Sequence, residues 1–360
     1  MSGPPSLSGT FLLVGHPNVG KSVLFHRLTG AYVNVSNYPG TTVEVTRASA
    51  RFDRESALLD TPGVLALPSR SDDEHTTVRA LLNEPTRALL QVGDAKNLRR
   101  TLTLTALLAE LRIPLVLALN MHDEAAARGV TIDMAALAEA LGVPVEATVA
   151  TDGQGVGTLA HHLSAARVPR PILQYDKAID ADIERVAAAI SRHCPHPRVA
   201  ARGLAILYLG GDDEVEAWLR REAGTAYGEI EPLRRDALAR AGGNLPTLMA
   251  RERTEAADVL ATSVVSRSLK SSPLLSQRVG QAVVHPVWGV PILLAVLYLI
   301  YQFVGVFGAT TLVGLLEEDL FEGVLNPAVT QFIEALAPAS WFSELLVGQY
   351  GLWTMGMTYA

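Results

Sequence analysis

Short apolar runs alternate with polar, glycine-rich segments along the first half of the chain. Three of these runs, at residues 10–14, 57–59 and 115–119, have strand length and few polar positions, which is typical of buried parallel strands. Residues 21–28 follow the first run with the spacing of a helix. The pattern predicts an α/β domain over residues 10–167, with a mostly parallel sheet and helices on both faces.

The periodicity becomes helical after residue 168. Apolar residues recur three or four positions apart at Ile179, Ile183, Val186 and Ile190, and a similar spacing returns further along the chain. This spacing predicts an all-α domain over residues 168–278.

A long stretch without charge follows that domain. No Asp, Glu, Lys or Arg occurs at residues 279–316, whereas about 20 apolar residues are enough to cross a bilayer. We therefore predict that residues 279–360 begin a membrane domain, with a transmembrane helix at residues 287–307 in contact with the lipid bilayer. The alternative is a buried core helix. Beyond it, residues 312–342 predict amphipathic helices on the outer surface, and a second span is expected to begin near Leu345.

Basic residues precede the apolar stretch, and acidic residues follow it. Lys270 and Arg278 lie before it, and Lys and Arg are absent from residues 279–360. The positive-inside rule therefore places the N-terminal domains in the cytoplasm. Residues 1–10 carry no positive charge and no apolar core of signal-peptide length, which agrees with that location.

Composition limits the classes of partner. The net charge is −7 and the isoelectric point is about 5.7 over 360 residues. Because binding to nucleic acid depends on a basic surface, we expect no nucleic-acid partner. The single cysteine allows no disulfide within the chain and is typical of a reducing compartment.

A phosphate-binding loop pattern, G-x-x-x-x-G-K-S, follows the first predicted strand. In such loops the backbone N–H groups and the lysine neutralise phosphate charge, and the serine hydroxyl ligates Mg²⁺. The pattern predicts binding of a nucleoside triphosphate, with Lys21 also acting in catalysis and Ser22 holding Mg²⁺. The predicted contacts are Gly15, His16, Pro17, Asn18, Val19, Gly20, Lys21, Ser22 and Val23.

An Asp-Thr-Pro-Gly motif ends the second predicted strand. The carboxylate of Asp60 is expected to hold Mg²⁺ through water, and the Gly63 N–H is expected to sense the γ-phosphate. Thr61 and Pro62 complete the motif. The acidic run that follows, Asp72–His75, is most consistent with a solvated loop, and the alternative is that it conveys the nucleotide state.

The loop at residues 37–43 is expected to close over the nucleotide. It carries Gly40, Thr41 and Thr42, and its glycine and proline favour a turn. Thr42 is the predicted Mg²⁺ ligand, and the adjacent Thr41 is the alternative.

An N-x-x-D motif follows the third predicted strand and indicates the base. The Asp123 carboxylate can accept hydrogen bonds from N1–H and the exocyclic amine of guanine, whereas adenine has no proton at N1. GTP is therefore expected in preference to ATP. Asn120 begins the motif, Met121 is expected to cover the ring face, and Val149 and Ala150 are expected to present backbone N–H groups to the guanine carbonyl.

The order of these motifs, G-x-P-N-V-G-K-S, N-Y-P-G-T-T-V, D-T-P-G and N-M-H-D, resembles FeoB ferrous iron transporters. Residues 93–98 and residues 285–291 at the entry to the span are also similar. The resemblance implies a P-loop GTPase domain that converts GTP to GDP, a GDI-like helical spacer, and a membrane domain that admits Fe²⁺. It further implies a multi-pass protein of the bacterial cytoplasmic (inner) membrane and a small FeoA-like regulatory partner, and it leaves a homo-oligomer open.

The family continues through many more helices than this chain contains. Because the sequence stops at Ala360, inside its second apolar segment, we expect it to be the front part of a longer protein.

The resemblance also implies how hydrolysis is assisted. Val64 stands where Ras-like proteins orient water with a glutamine, so we expect slow intrinsic hydrolysis. In similar G proteins an asparagine at the position of Asn18 helps to hold K⁺, which supplies the charge of an arginine finger. We therefore expect a K⁺ site at Asn18 and the loop at residues 37–42. The alternative is that Asn18 only shapes the turn.

The predicted function is a GTPase that couples its nucleotide state to Fe²⁺ passage across the membrane. Its predicted catalytic residues are Lys21, Asn18, Thr42 and Gly63. The alternative is a membrane-tethered regulatory GTPase without transport activity. A soluble GTPase that acts on RNA or ribosomes would share the phosphate loop but would not need the apolar stretch.

Overall fold

The computed structural model describes most of the chain. The described residues are 9–29, 34–53, 55–194, 197–267, 275–336, 341–348 and 351–359. Tertiary contacts divide the chain into two compact units, Met1–Ser272 and Pro273–Ala360.

The first unit begins as an alternation of strands and helices. Its strands are β1 (Gly9–Gly15), β2 (Asn34–Asn37), β3 (Glu44–Ser49), β4 (Ser56–Asp60), β5 (Thr86–Asp94), β6 (Leu115–Asn120), β7 (Val130–Ile132), β8 (Val145–Ala147) and β9 (Val265–Arg267). The helices between them are α1 (Lys21–Thr29), α2 (Asp72–Asn83), α3 (Leu98–Glu110), α4 (His122–Ala127), α5 (Met134–Leu141) and α6 (Val156–Ser164). The predicted runs at residues 10–14, 57–59 and 115–119 correspond to β1, β4 and β6.

Seven of these strands form one sheet in the order β2-β3-β4-β1-β5-β6-β8. The neighbours of β1, β5 and β6 in the sheet all run parallel to them, whereas β2 and β3 form an antiparallel hairpin at one edge. The carboxyl ends of β1, β4 and β6 therefore meet at one edge, where ligands bind in open α/β sheets.

Alternate residues of β1 point to opposite faces of the sheet. Phe11 and Leu13 join a core with α1 and α6, whereas Leu12 and Val14 join a core with α2, α3 and α5. Both faces are thus covered, which confirms the predicted fold class.

The second of these cores continues into a group of helices after residue 175. These helices are α7 (Lys177–His193), α8 (Ala201–Leu209), α9 (Asp213–Ala223), α10 (Tyr227–Arg240) and α11 (Leu245–Val264). The periodic residues Ile179, Ile183, Val186 and Ile190 are all buried on α7, as their spacing predicts. The last helix, α11, leads into β9, which pairs antiparallel with β7. The boundary predicted at residue 168 stays a prediction.

The second unit is helical where it is described. It contains α12 (Leu275–Val284), α13 (Gly289–Ile300), wider helical turns at Tyr301–Leu312 and Leu315–Leu325, α14 (Asn326–Leu336), α15 (Trp341–Val347) and α16 (Leu352–Tyr359). Among the described residues, one helix has the length and composition to cross a membrane: Gly289–Gly308, with 20 residues, a mean hydropathy of 2.2 and no buried part. The second span near Leu345 stays a prediction.

Candidate functional site

The phosphate loop joins the end of β1 to the start of α1. Asn18 and Gly20 have positive φ angles of 62° and 90°, so the chain turns back on itself before the helix begins. A Cβ atom on Gly20 would lie 2.2 Å from Nδ2 of Asn120, a contact that only glycine avoids. The loop thus has the tight backbone that its sequence predicts.

Lys21 lies at the first position of α1 and is largely buried. Its Nζ donates a 3.3 Å hydrogen bond to the carbonyl oxygen of His16, which closes the loop. Burial lowers the pKa of Lys21, and the carboxylates of Asp60 and Asp73 oppose this effect. Burial, Arg100 and Lys21 together lower the pKa of His16 to about 4, so that His16 is neutral at pH 7. A phosphate beside Lys21 would compensate a cation that has lost much of its hydration.

Ser22 and Asp60 join the phosphate loop to the end of β4. The Ser22 hydroxyl donates a 2.7 Å hydrogen bond to Oδ2 of Asp60. The other carboxylate oxygen, Oδ1, is buried and has no hydrogen-bond partner in the structure. Burial raises the pKa of Asp60, although the bond from Ser22 and the charge of Lys21 act against it. An unpartnered carboxylate oxygen beside a hydroxyl is a donor set that fits Mg²⁺.

The Asp-Thr-Pro-Gly motif packs directly against the phosphate loop. Thr61 donates its hydroxyl to the carbonyl oxygen of Leu13 at 2.6 Å, and the Val64 N–H donates to that of Gly15 at 3.0 Å. A Cβ atom on Gly63 would lie 2.7 Å from the Pro17 ring. Val64 itself is fully buried, so its side chain takes part in the core and not in solvent-facing chemistry.

The loop at residues 37–43 connects β2 to β3 at the sheet edge. The Thr41 hydroxyl donates to the carbonyl oxygen of Tyr38 at 2.9 Å, whereas Thr42 is exposed. Within the described residues, no hydrogen bond joins this loop to Ser22 or Asp60. The Mg²⁺ role of Thr42 therefore stays a prediction, as does the K⁺ role of Asn18, whose side chain is exposed.

Asn120 links the base-recognition motif to the phosphate loop. Its Nδ2 donates to the carbonyl oxygen of Val19 at 2.9 Å, and its Oδ1 accepts from the Thr148 hydroxyl at 3.2 Å and from the Ala150 N–H at 2.9 Å. Asp123 is exposed in the first turn of α4, where its carboxylate is open to a base.

In the loop after β8, both amides that were predicted to contact the base donate hydrogen bonds within the chain. The Ala150 N–H donates to Asn120, and the Val149 N–H donates to the carbonyl oxygen of Gln154 at 3.1 Å. Contact of these two amides with the guanine carbonyl stays a prediction.

Lys96 is a base-side residue that motif reasoning did not identify. Its Nζ contacts Sδ of Met121 at 3.2 Å and pairs with Glu124 at 2.7 Å. Met121 has a φ angle of 59°, and the contact with Lys96 helps to hold this left-handed residue beside Asp123. Because the contact joins residues far apart in sequence, no local pattern indicated it.

The acidic run after the Asp-Thr-Pro-Gly motif forms the start of α2, so the expected solvated loop is wrong. Glu74 is buried, and its carboxylate accepts hydrogen bonds from the backbone N–H groups of Leu65, Ala66, Arg70 and Ser71. Burial alone would raise the pKa of Glu74, but these bonds outweigh it and lower the pKa. The missed signal was Ser71-x-x-Glu74, a capping box that marks a helix start.

Arg79 connects the loop at residues 37–43 to the helical domain. Its guanidinium donates to the carbonyl oxygen of Gly40 at 2.6 Å and to both carboxylate oxygens of Glu214 at 2.5 and 2.7 Å. These residues line a cavity of about 470 Å³, together with Thr42, Asp72 and His75.

Comparisons with known families match two regions of the chain. Residues 9–163 match the family described as ferrous iron transport protein B, and residues 175–266 match the FeoB cytosolic helical domain. The two matches follow the boundary between the α/β part and the helical part of the first unit.

Individual relatives with similar sequences are also FeoB proteins. The Fe(2+) transporter FeoB of Staphylococcus aureus is 30% identical over 81% of this chain and 44% of its own length. A protein of Porphyromonas gingivalis described as a fusion of Fe(2+) transport protein A and Fe(2+) transporter FeoB is 30% identical over 93% of this chain and 40% of its own length. The chain thus spans less than half the length of these relatives.

A solved structure resembles the first unit. It is a variant of S. thermophilus NFeoB bound to GDP, with a TM-score of 0.62 and 30% identity, and the match covers 72% of this chain and 100% of that one.

Proposed function

The chain belongs to the family of ferrous iron transport protein B, and from this we propose that it is the GTP-binding and GTP-hydrolysing cytoplasmic part of a ferrous iron transporter, with the start of its membrane domain. The observation that supports this proposal most directly is the 2.7 Å hydrogen bond from Ser22 to Asp60, which joins the phosphate loop to the Asp-Thr-Pro-Gly motif. Lys21 lies in the same site and supplies the positive charge.

The nucleotide is GTP. Asp123 selects guanine by accepting from its N1–H and amine, and Asn120 holds the base loop against the phosphate loop. Ser22, Asp60 and Thr42 are the residues that would hold Mg²⁺, which neutralises charge on the β- and γ-phosphates when bound. The GDP-bound relative supports the nucleotide but leaves both cations as proposals.

Hydrolysis is slow without a further charge. Val64 is buried and apolar, so it cannot orient water as a glutamine does. Asn18 is exposed on the phosphate loop and is the residue that would hold K⁺. A monovalent cation there would offset charge that develops on the transferred phosphoryl group.

The transported ion is Fe²⁺, and the helix Gly289–Gly308 is the first span in the bacterial cytoplasmic membrane. This arrangement leaves the first unit in the cytoplasm. The fused relative supports a small FeoA-like protein as a regulatory partner. Nucleotide state in the first unit would then gate or drive passage through the membrane part.

The test uses the complete reading frame in cells that lack their own ferrous iron uptake. We expect accumulation of radioactive Fe²⁺ with the unaltered protein and its loss in Lys21→Ala, because that variant cannot neutralise the phosphates. Lys177→Ala is the matched control, since Lys177 is an exposed lysine at the start of α7, outside the site. No accumulation from the unaltered protein would leave a regulatory GTPase as the better function.

A further inference from the structure

Arg253 is a buried cation without an anionic partner. It lies on α11 with only 5% of its surface exposed, and within the described part of the chain its guanidinium forms no ion pair and donates no hydrogen bond. The neighbouring carboxylates on the same helix have other partners. Glu252 accepts a hydrogen bond from the Asp176 N–H at 3.0 Å, and Glu255 pairs with Arg251 at 2.6 Å.

This arrangement is energetically unfavourable as it stands. Arginine keeps its proton at all physiological pH values, so it cannot escape burial by becoming neutral. Burial lowers the pKa of Arg253, and the phenol of Tyr175 acts against this effect. Because buried charges are normally paired, a counter-ion is missing.

Arg253 lines a cavity with room for a small counter-ion. The cavity has a volume of about 250 Å³ and lies between α3, α11 and the loop that follows Gly63. Arg100 and His16 are the other titratable residues of its wall, and Thr103 and Thr254 also line it, with their hydroxyls donating to backbone carbonyl oxygens of their own helices. The rest of the wall is mostly apolar, with Leu65, Leu67, Leu104 and Leu107 among its members.

We infer that this cavity binds a small organic monoanion, a short-chain carboxylate whose oxygens pair with Arg253 and whose hydrocarbon body lies against the leucines. The planar guanidinium fork matches a carboxylate in two parallel hydrogen bonds. The apolar wall favours a hydrocarbon body over an inorganic oxyanion, which would bring only hydrated surface. The cavity adjoins the nucleotide site, because His16 of the phosphate loop is part of its wall, and its ligand would also touch the loop that carries Leu65 and Leu67.

The test uses the full chain in detergent micelles, loaded with GDP so that the phosphate loop is filled. Butyrate is the probe, with binding followed by saturation-transfer NMR and by the rise in melting temperature. We expect butyrate to bind the unaltered protein and Arg251→Gln equally, since Arg251 is exposed and paired with Glu255. Arg253→Gln should weaken binding at least about tenfold, because it leaves the carboxylate without its cation.

Two further measurements keep the inference falsifiable if Arg253→Gln is poorly folded. Arg253→Met replaces the cation by an apolar chain of similar length, so its melting temperature should no longer respond to butyrate. Butyramide has the same shape without charge and should not bind the unaltered protein. Equal binding of butyrate to the unaltered protein, Arg253→Gln and Arg253→Met, binding of inorganic phosphate in place of butyrate, or no binding at all would each overturn the inference.

Discussion

The side-chain amide of Asn120 donates a 2.9 Å hydrogen bond to the carbonyl oxygen of Val19, more than a hundred residues earlier in the sequence. The bond fixes the base-recognition loop to the phosphate loop and is itself buried. A base and its phosphates can therefore be held at a set separation by one side chain. Loss of that side chain should affect both ends of the nucleotide.

The first prediction concerns Asn120→Ala. The change leaves the carbonyl oxygen of Val19, the Thr148 hydroxyl and the Ala150 N–H without their partner, and each unsatisfied group costs about 1–3 kcal/mol. We expect GDP affinity to fall at least about tenfold in titrations with a fluorescent analogue. Asn244→Ala, at an exposed asparagine whose side chain makes no cap hydrogen bond, is the control. An affinity within about twofold of the unaltered protein would contradict the role of Asn120.

The second prediction concerns Gly63→Ala. A Cβ atom at this position would lie 2.7 Å from the Pro17 ring and 2.9 Å from Pro17 backbone atoms, so the two loops must separate. We expect GTP hydrolysis to fall at least about tenfold, because the site loses its pre-organised geometry. Gly157→Ala is the control: it has open space around it on α6 and should stabilise the protein by about 0.5–1 kcal/mol. Full activity in Gly63→Ala would show that the close approach is not needed.

The third prediction tests the proposed K⁺ site. GTP hydrolysis should be faster in KCl than in NaCl at equal ionic strength, by about tenfold or more, because a K⁺ ion held at Asn18 would offset charge that develops on the transferred phosphoryl group. Asn18→Ala should be slow in both salts. Asn83→Ala, whose side chain only bonds the α2 backbone, should keep the difference. If Asn18→Ala hydrolyses GTP at the normal rate in both salts, Asn18 only shapes the turn.

The fourth prediction follows from the lowered pKa of Glu74. Since the folded-state pKa lies below the unfolded value, Glu74 stabilises the protein above the unfolded pKa of about 4.3, and this stability is lost as the pH falls through the folded pKa. Glu74→Gln should therefore lower the free energy of unfolding by about 1–3 kcal/mol at pH 7, and by less at pH 3.5. Urea unfolding at the two pH values measures the difference. The exposed Glu139→Gln should show neither effect.

The fifth prediction concerns the link between Arg79 and Glu214. A double-mutant cycle with Arg79→Gln and Glu214→Gln should give a coupling energy of about 1–2 kcal/mol, since the pair is bidentate and partly buried. Arg79→Gln should be the more damaging single change, because it also removes the donor to Gly40. Equal single effects or a coupling near zero in urea unfolding would contradict this arrangement.

Local pattern was sufficient for the elements that surround the nucleotide. The runs at residues 10–14 and 115–119 are found as β1 and β6, and the predicted helix at residues 21–28 is found as α1. The apolar helix Gly289–Gly308 overlaps the span predicted at residues 287–307, and its crossing of a membrane stays a prediction. These elements could be predicted because each depends on residues that are close together in sequence: a strand or an apolar helix is a run of apolar residues, and a phosphate loop is a fixed spacing.

Local sequence pattern was not sufficient to predict the hydrogen-bond partners of backbone and side-chain groups. Val149 and Ala150 have the expected position after β8, but packing of the loop on Asn120 decides which N–H groups are free. Glu74 has the composition of a surface acid, and only the fold of the preceding loop encloses it with backbone donors. The predicted roles of Thr42 and Asn18 stay predictions, because both depend on ions.

The sequence by itself determined the α/β sheet, the order of the nucleotide motifs, the helical region and the long apolar helix. All four depend on the spacing of apolar and polar residues along the chain. Tertiary structure alone decided which distant groups meet: Asn120 with Val19, Arg79 with Glu214, and Arg253 with an apolar cavity. The physical reason is that pairing and burial depend on which surfaces pack together, and that is set by the whole fold and not by any one segment.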